Sequence, residues 1–343
     1  MSESKIRNME EFATVSGISR PTLSKYFNDP DSVRPSTRKK IEAALEKHDY
    51  RPNIYAMNQN RRLTKNIGIV VPFLADPFFA EIARVIENLV IAGGFRPILL
   101  SSHGETEQEN DNLESLRSIR PAGVLLAPLG RTSDAEAIER FCADVPTVLF
   151  DNSIGDLGEA FFGLDNPQSV GMMVKYLCDT GEPPVFFEMR TPTNPNAYKR
   201  RNTYVETMER LGETPQLVQV AGDTWNFEDI GYQGGLQAIQ GRELGTNTVL
   251  CSNDRLAIGF LAAAYECGLR VGRGNGSALR VAGHDDHPYA RFTCPPLTTV
   301  AQDYAAIATR SVEAILNLIE SGERAETRIT TLFSGTLIQR SSA

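Results

Sequence analysis

The sequence has no long hydrophobic run and no paired cysteine motif. No stretch reaches the ~18 consecutive apolar residues of a membrane-spanning helix, so neither a membrane protein nor a membrane partner is expected. The cysteines are odd in number and none belongs to a CxxC pair. We therefore predict reduced thiols that fill apolar space, rather than a disulfide framework or a zinc site. They stand at Cys142, Cys178, Cys251, Cys267 and Cys294.

What the chain does have is an ordinary globular composition. Of its 343 residues, 41% are hydrophobic and 23% are charged, which excludes a disordered chain and a collagen-like repeat. At roughly 100–200 residues per domain, this length predicts two or three domains. Residues 1–12 (MSESKIRNMEEF) contain no apolar core of the kind found in signal peptides. We therefore expect a cytoplasmic protein rather than an exported one.

The charge is divided unevenly along the chain. The net charge is −8, but residues 1–66 hold 13 Lys+Arg and 8 Asp+Glu, a net of +5, which leaves −13 for the rest. A small basic head on a large acidic body makes nucleic-acid binding worth testing despite the acidic total. The alternative is that the basic residues only cover a solvated helical surface.

Three short helices are predicted in the basic head. Asn8, with a Glu three residues later, is typical of a helix start, and Gly17 lies in the following turn, where it can take a positive φ. Ser19 can cap a second helix over residues 20–28, and Pro35 suits the first turn of a third helix. Two short helices joined by a Gly-containing turn are the pattern of a helix-turn-helix.

The second helix of such a motif enters the major groove with its N-terminal residues forward. Arg20 and Lys25 are long enough to reach guanine O6 and N7, whereas Thr22 and Ser24 suit phosphates or thymine methyl groups. Helical patterning alone leaves open a generic three-helix bundle without a DNA partner. The residues of this helix and its cap that we predict to contact DNA are Ser19, Arg20, Pro21, Thr22, Ser24 and Lys25.

A long pattern of landmark residues runs through the head and into the segment that follows it. The landmarks are Ala13, Gly17, Ser19, Thr22, Leu23, Ser24, Asn28, Thr37, Arg38, Tyr50, Pro52 and Asn53. This pattern resembles the head of the lactose-repressor (LacI) family of bacterial transcription regulators, and the resemblance continues across nearly the whole chain. It implies a homodimer, or a higher assembly, that binds a double-stranded DNA operator with an affinity set by a small ligand.

Residues 51–66 are predicted to be a hinge helix and linker. A helix capped by Asn53 and ending near residue 60 is shorter than the ~12–15 residues that an isolated helix needs in water, so it should form only when two copies pack together on DNA. The resemblance implies that Asn53, Ala56 and Gln59 contact the operator. The family inserts a Leu wedge between base steps at the position of Gln59, and Gln is a poor wedge. We therefore doubt that the operator is kinked as in the family.

From residue 67 onward, short apolar runs alternate with amphipathic helices. This alternation predicts parallel sheets with helices on both faces, and its repetition predicts two doubly wound subdomains. The fold class is therefore α/β and similar to periplasmic binding proteins, preceded by an all-α helix-turn-helix head at residues 1–50. We expect the body, residues 67–343, to bind the effector and form the dimer. Three crossings near 165, 300 and 330 would give a first subdomain at about 67–165 and 301–329, and a second at about 166–300 and 330–343.

Polar ligands bind at the carboxyl ends of parallel strands, so the cleft between the subdomains is the predicted effector site. Carboxylates accept hydrogen bonds from hydroxyl groups, a guanidinium donates them, amides do both, and aromatic rings supply an apolar plate. This set suits a sugar, a sugar derivative or a related polyol, although a purine-like base can use similar groups. By register with the family, the predicted effector-binding residues are Phe78, Phe79, Asp151, Asn196, Arg200, Trp225, Asn253, Asp285 and Gln302.

Each of these assignments has a plainer alternative. Any one polar residue could be a loop cap or a surface side chain, and Phe79 could belong to the core. A slip of one residue would put Asn226 or Phe227 in the place of Trp225.

Several other polar motifs are not predicted to be sites. His284 and His287 flank two aspartates, but neighbouring residues of an extended turn point apart and no distant His or Cys set has ligand spacing. The glycine-rich run 272–276 follows a helix instead of opening one, so it is not a phosphate cradle. Lys199 and Arg201 would favour an acidic ligand if they faced the cleft, but we expect them on the helix surface. No metal and no cofactor are predicted.

The sequence therefore predicts a DNA-binding transcription regulator, in the main interpretation a repressor, and not an enzyme. A solute-binding protein of a sugar uptake system is the alternative, against which the basic head and the missing signal peptide argue. An enzyme that used the cleft would need a positioned acid or base or a cofactor fingerprint, and the sequence offers neither. We expect the dimer to form mainly through the first subdomain, with helices 78–92 and 106–118 as candidates, on a near-palindromic site.

The two kinds of DNA contact can be separated by mutation. Arg20→Ala should relax the base preference by ~1–3 kcal/mol because it removes a donor to a base edge, whereas Lys65→Ala should weaken binding to all sequences alike because it removes a phosphate contact. Fluorescence anisotropy with an operator duplex and a scrambled duplex measures both effects. The reverse pattern would show that the groove assignment is wrong.

Overall fold

The computed structural model describes residues 6, 8–28, 30–50, 64–274, 276–324 and 327–343, which form two compact units. The first unit ends at Thr64 and the second begins at Lys65. The predicted hinge residues Asn53, Ala56 and Gln59 lie outside the described residues. None of the described helices is long and apolar enough to cross a membrane.

The first unit is the predicted helical head. Its helices are α1 (Met9–Ser16), α2 (Arg20–Asn28) and α3 (Pro35–His48), with a 3-10 turn at Pro30–Ser32. The side chain of Asn8 accepts hydrogen bonds from the backbone N–H groups of Glu10 and Glu11, which satisfies two donors that the helix itself leaves unpaired. Gly17 follows α1 with φ 66°, a left-handed conformation that glycine adopts without steric cost.

A small core holds the three helices of the head together. One fully buried side chain comes from each helix: Phe12 from α1, Leu23 from α2 and Ile41 from α3. Tyr50 closes the cluster by stacking on Phe12, with ring centroids 4.4 Å apart. Leu23 points inward, whereas Arg20 and Lys25 of the same helix are exposed.

The first subdomain of the second unit is a six-stranded parallel sheet covered by four helices. In spatial order, its strands are β11 (Ile329–Phe333), β5 (Ala160–Leu164), β4 (Thr147–Phe150), β3 (Gly123–Leu126), β1 (Asn66–Val71) and β2 (Arg96–Ser101). One face packs against α4 (Pro77–Ala92) and α11 (Tyr304–Ser321), and the other against α5 (Thr106–Ile119) and α6 (Ala135–Asp144). Helices on both faces explain why the central strands are continuous apolar runs.

The second subdomain repeats this architecture on a four-stranded parallel sheet. In spatial order, its strands are β7 (Leu217–Val220), β6 (Val185–Met189), β8 (Thr248–Cys251) and β9 (Arg280–Ala282). One face packs against α7 (Asn166–Thr180) and α8 (Asn196–Leu211), and the other against α9 (Phe227–Gln240) and α10 (Asp254–Glu266). The predicted α/β class with two doubly wound sheets is therefore confirmed.

The chain passes between the subdomains three times. The first crossing joins β5 to α7, and the second leaves β10 (Thr299–Ala301), which pairs antiparallel with β12 (Thr336–Ile338), and leads into α11. The third crossing was expected near residue 330 and follows Phe333. It lies there because the chain first forms β11, a strand that the sequence analysis did not predict. This strand pairs in parallel with β5 at the edge of the first sheet, with Ile329 opposite Ala160.

The head core predicts a local effect of truncating Leu23. Leu23→Ala should destabilise the head by about 2–5 kcal/mol, because it leaves a cavity in a core that has few other buried side chains. Val15→Ala, at a half-exposed position on α1, is the matched control and should cost under about 0.5 kcal/mol. Hydrogen exchange of peptides from α1–α3 measures the difference, and equal protection in both variants would contradict the packing described here.

Candidate functional site

A cavity of about 260 Å³ lies between the two subdomains at the carboxyl ends of their strands. Most of the predicted cleft residues line it, brought together from six separate segments of the chain. Those that line it are Phe78, Phe79, Asp151, Arg200, Asn253, Asp285 and Gln302. Asn196 and Trp225 do not belong to its lining.

A buried ion pair forms the floor of the cavity. Arg200 on α8 and Asp285 after β9 meet through two hydrogen bonds, from Nη2 to Oδ1 at 2.6 Å and from Nη1 to Oδ2 at 3.3 Å. Only 5% of the Arg200 side chain and 19% of the Asp285 side chain are exposed. Burial alone would raise the pKa of Asp285, but the Arg200 guanidinium and the neighbouring His284 lower that pKa to about 2. Asp285 is therefore a carboxylate at any physiological pH.

The same ion pair gathers several loops around itself. Arg200 donates from Nε to Asn166 Oδ1 at 3.2 Å and from Nη1 to the carbonyl oxygen of Ser252 at 2.7 Å. Gln302 donates from Nε2 to Asp285 Oδ1 at 2.6 Å. Asn166 follows the first crossing and Gln302 begins the second, so the ion pair is bonded to two of the three connections between the subdomains.

Asp151 is the second carboxyl group of the cavity, and its surroundings differ from those of Asp285. It follows β4 with φ 62° and is almost fully buried. It forms no ion pair with any described residue, but Oδ1 accepts a hydrogen bond from Asn196 Nδ2 at 3.0 Å. Burial raises the pKa of Asp151 to about 7, against the lowering effect of Lys199 and Arg200. Asn196 therefore lies behind Asp151 and holds it, instead of lining the cavity as the sequence predicted.

The apolar wall of the cavity contains three phenylalanines. Phe78 and Phe79 begin α4 and meet edge to face with centroids 5.1 Å apart. Phe79 is also fully buried in the core, so both interpretations of this residue hold. Phe227, at the start of α9, is the third ring of the lining.

Trp225 does not line the cavity, whereas Phe227, the alternative that the sequence left open, does. Trp225 is only 6% exposed and stacks on Phe73 of the first subdomain, with centroids 5.3 Å apart and ring planes 13° from parallel. Its loop turns the indole toward the first subdomain and leaves Phe227 to line the cavity. Trp225 thus packs the subdomains together beside the site.

Asn253 both lines the cavity and caps a helix. Its Oδ1 accepts a hydrogen bond from the backbone N–H of Leu256 at 2.8 Å, at the first turn of α10. This cap orients Asn253 and uses its oxygen, so only the amide N–H groups are left to face a ligand.

An ion pair across the cavity mouth was not predicted. Arg255 on α10 forms two hydrogen bonds to Glu228 of its own subdomain, at 2.7 and 2.6 Å, and one to Asp76 of the first subdomain at 3.0 Å. Asp76 is the N-cap of α4, accepting from the backbone N–H of Phe78. The Asp-Pro start of a helix was visible in the sequence, but nothing local links it to an arginine 179 positions away.

The charged motifs set aside in the sequence analysis lie outside the cavity or serve its walls. Arg201 pairs with the buried carboxylate of Glu188 at 3.4 Å and does not line the cavity. His284 is buried beside Asp285, and burial lowers its pKa to about 4, so it is neutral. No group of three His, Cys, Asp or Glu residues in the described part of the chain is arranged to hold a metal.

The head presents its predicted DNA-contacting residues on one exposed helix start. Arg20, Pro21 and Lys25 are exposed. Ser19 and Thr22 face each other with hydroxyl oxygens 2.7 Å apart, and Ser19 Oγ also accepts from the N–H of Thr22 at 3.4 Å. Ser19 is therefore engaged as the helix cap, while Thr22 and Ser24 are half-buried beside it.

Known family models match both units of the chain. The model for bacterial regulatory proteins of the lacI family matches residues 8–53, and a periplasmic binding protein-like domain matches residues 176–343. The chain combines a lacI-family helix-turn-helix head with a periplasmic binding protein-like domain. It is a DNA-binding transcriptional regulator, which confirms the sequence-based prediction and removes the solute-binding alternative.

Relatives and solved structures resemble the chain along nearly its whole length. The ribose operon repressor of Escherichia coli K12 is 27% identical over 337 residues, which are 98% of this chain and 99% of the relative. The transcriptional repressor PurR of Pasteurella multocida is 26% identical, over 92% of this chain and 94% of that protein. The Lac repressor dimer bound to operator and the anti-inducer ONPF has a TM-score of 0.82 at 24% identity, over 98% of this chain and 99% of that one. These relatives are named as repressors rather than enzymes.

The raised pKa of Asp151 predicts a stability difference that depends on pH. The pKa of an unfolded Asp is near its ordinary value of 3.8 and that of the folded Asp151 is about 7, so ionisation destabilises only the folded state as pH rises between these values. Asp151→Asn removes this cost of ionisation. Relative to wild type, its free energy of unfolding should be unchanged at pH 4 and higher by about 4 kcal/mol above pH 7.

Urea denaturation of both proteins at several pH values measures this gain. Asp254, whose pKa burial also raises to about 7, is present in both proteins, so its effect cancels in the difference. A gain that is the same at pH 4 and pH 8 would show that Asp151 is ionised normally in the cavity.

Proposed function

We propose that the protein is a transcriptional repressor whose affinity for a double-stranded operator is controlled by a small polar effector, a sugar or sugar derivative, bound between the two subdomains. The observation that carries this proposal is the buried Arg200–Asp285 pair at the floor of the cavity, bonded to two of the inter-subdomain connections. A ligand that contacts this pair contacts the parts of the chain that set the angle between the subdomains.

The lining of the cavity favours a sugar-like ligand. Carboxylate and amide oxygens beside phenylalanine rings suit hydroxyl groups on one side and C–H surfaces on the other. The volume of about 260 Å³ lies just below the roughly 300–1,000 Å³ of typical ligand pockets, which suits a small molecule. The likeness to a repressor named for a ribose operon supports the same class.

Control works through the contacts that span the cleft. The Arg255–Asp76 ion pair and the stacking of Trp225 on Phe73 join the subdomains beside the cavity. A ligand that is bound better when these contacts are closed shifts the protein toward that arrangement, but only by its difference in affinity for the two arrangements. The changed angle then alters how two copies of the chain present their heads to DNA.

The repressor acts as a cytoplasmic homodimer. The first subdomain offers α4, where Ile91 is 54% exposed, and the second subdomain adds exposed aromatic rings at Tyr265, Tyr289 and Phe292. Contiguous exposed apolar surface is typical of subunit interfaces, and the first subdomain, with α4, remains the main dimer contact that we propose. Sedimentation velocity tests the stoichiometry, and a monomer at micromolar concentration would contradict it.

Operator binding and effector control can be tested in one titration. Fluorescence anisotropy is measured with DNA duplexes from the region upstream of the protein's own gene, with and without a panel of sugars, sugar acids and nucleobases. DNA affinity should fall steeply between 50 and 200 mM salt, since basic residues release counterions from DNA. At least one ligand of the panel should change the affinity by about 5- to 150-fold.

Two variants separate the sites. Arg20→Ala should weaken operator binding while the ligand still shifts the melting temperature of the protein. Arg291→Gln, on the exposed rim of the cavity, should leave operator binding unchanged in the absence of ligand. If no duplex binds under any ligand, or if no ligand alters binding, the proposed function is wrong.

A further inference from the structure

Gln302 and Asp151 offer hydrogen-bond acceptors to a ligand in the cavity, whereas Asn253 offers N–H donors. Gln302 donates its amide N–H to Asp285, and its Oε1 is buried without a partner among the described residues. The carboxyl group of Asp151 receives a hydrogen bond from Asn196 and forms no ion pair within the described part of the chain. Both groups line the cavity. A ligand satisfies them only by donating hydrogen bonds.

The basic side chains at the floor and mouth have little left to donate. Arg200 uses four of its five N–H groups on Asn166, Ser252 and Asp285. Arg255 lies between the carboxylates of Glu228 and Asp76, and its guanidinium also covers the Phe227 ring at 4.9 Å. Both positive charges are therefore neutralised by carboxylates of the protein itself.

The charge of the lining is also one-sided. Its carboxyl groups are Asp76, Glu81, Asp151, Asp254, Asp285 and Asp286. The lining contains half as many guanidinium groups, of which Arg200 and Arg255 are already paired. Arg291 lies at the exposed rim over its neighbour Phe292. An acidic group placed deep in the cavity would therefore face like charge without a free cation.

We infer that the effector is uncharged and rich in hydroxyl donors, and that Asp151 makes the cavity reject acidic forms of the same molecule, such as its phosphate ester or its aldonic acid. This inference rests on the proposed function and narrows the ligand class of the same site. On this inference, Lys199 and Arg201 do not attract an acidic ligand into the cavity.

A matched ligand series on the full chain tests this selectivity. Isothermal titration calorimetry at pH 8 compares aldopentoses and aldohexoses with the phosphate ester and the aldonic acid of each. At least one neutral sugar should bind, and its acidic forms should bind more weakly by about tenfold or more, because Asp151 must either oppose the added charge or take up a proton, which at pH 8 costs about tenfold for a carboxyl group with a pKa of about 7.

Two aspartate variants locate the cause of the discrimination. Asp151→Asn keeps the shape of the side chain and should reduce the preference for the neutral sugar by up to about tenfold at pH 8, since the negative charge is gone. Asp156→Asn is the matched control: this residue lies in the same loop between β4 and β5, fully exposed and away from the cavity. It should leave the preference unchanged.

Three results would overturn the inference. They are binding of an acidic form as tight as that of its neutral parent, an unchanged preference in Asp151→Asn, and binding of the acidic forms alone. Failure of the proposed function looks different: the neutral sugar binds with the expected preference, but operator affinity does not respond to it.

Discussion

The ion pair between Arg200 and Asp285 is the interaction on which the site depends. Taking two charges out of water costs several kcal/mol per ion, and the pair persists only because further hydrogen bonds complete its geometry. Asn166, Ser252 and Gln302 supply those bonds. They come from the start of α7, the end of β8 and the segment after β10. The ion pair therefore fixes the cavity floor and couples it to the connections that must move when the subdomains rotate.

The two carboxyl groups of the cavity perform different tasks because their surroundings differ. Asp285 is fully matched by a guanidinium and remains charged, with a pKa of about 2. Asp151 is more deeply buried but lacks such a partner among the described residues, and its pKa is about 7. The first is thus part of the framework, and the second is the group whose charge and hydrogen bonding a ligand can change. Perturbed pairs of this kind are typical of functional sites.

Much of this could be predicted from the sequence, because its patterns are local. Apolar periodicity identified the sheets and helices. Register with the family gave Asp151, Arg200, Asp285 and Gln302, in agreement with the rule that ligands meet the carboxyl ends of parallel strands. The parts that were missed depend on distant partners. β11 is a short strand with exposed apolar residues that becomes recognisable only through its pairing with β5. Asn196 turned out to hold Asp151, and the Arg255–Asp76 pair joins residues from different subdomains.

Trp225 shows a separate limit of sequence reasoning. The loop before α9 has no periodicity to fix its register, so the choice between Trp225 and Phe227 depends on how the loop bends. The structure uses both rings, one to pack the subdomains together and one to line the cavity. Whether an aromatic residue near a cleft contacts the ligand or packs the subdomains together depends on the side chain it stacks on. The neighbouring sequence does not reveal that partner.

The central claim is that the cavity between the subdomains and the DNA-binding head share one equilibrium. Its most direct test is calorimetric titration of the effector sugar into the free protein and into the protein saturated with operator duplex. Coupling between binding sites is reciprocal, so the affinity for the sugar should change between the two titrations by the same factor by which saturating sugar changes operator affinity. Equal sugar affinities in the free and DNA-bound protein would contradict the account.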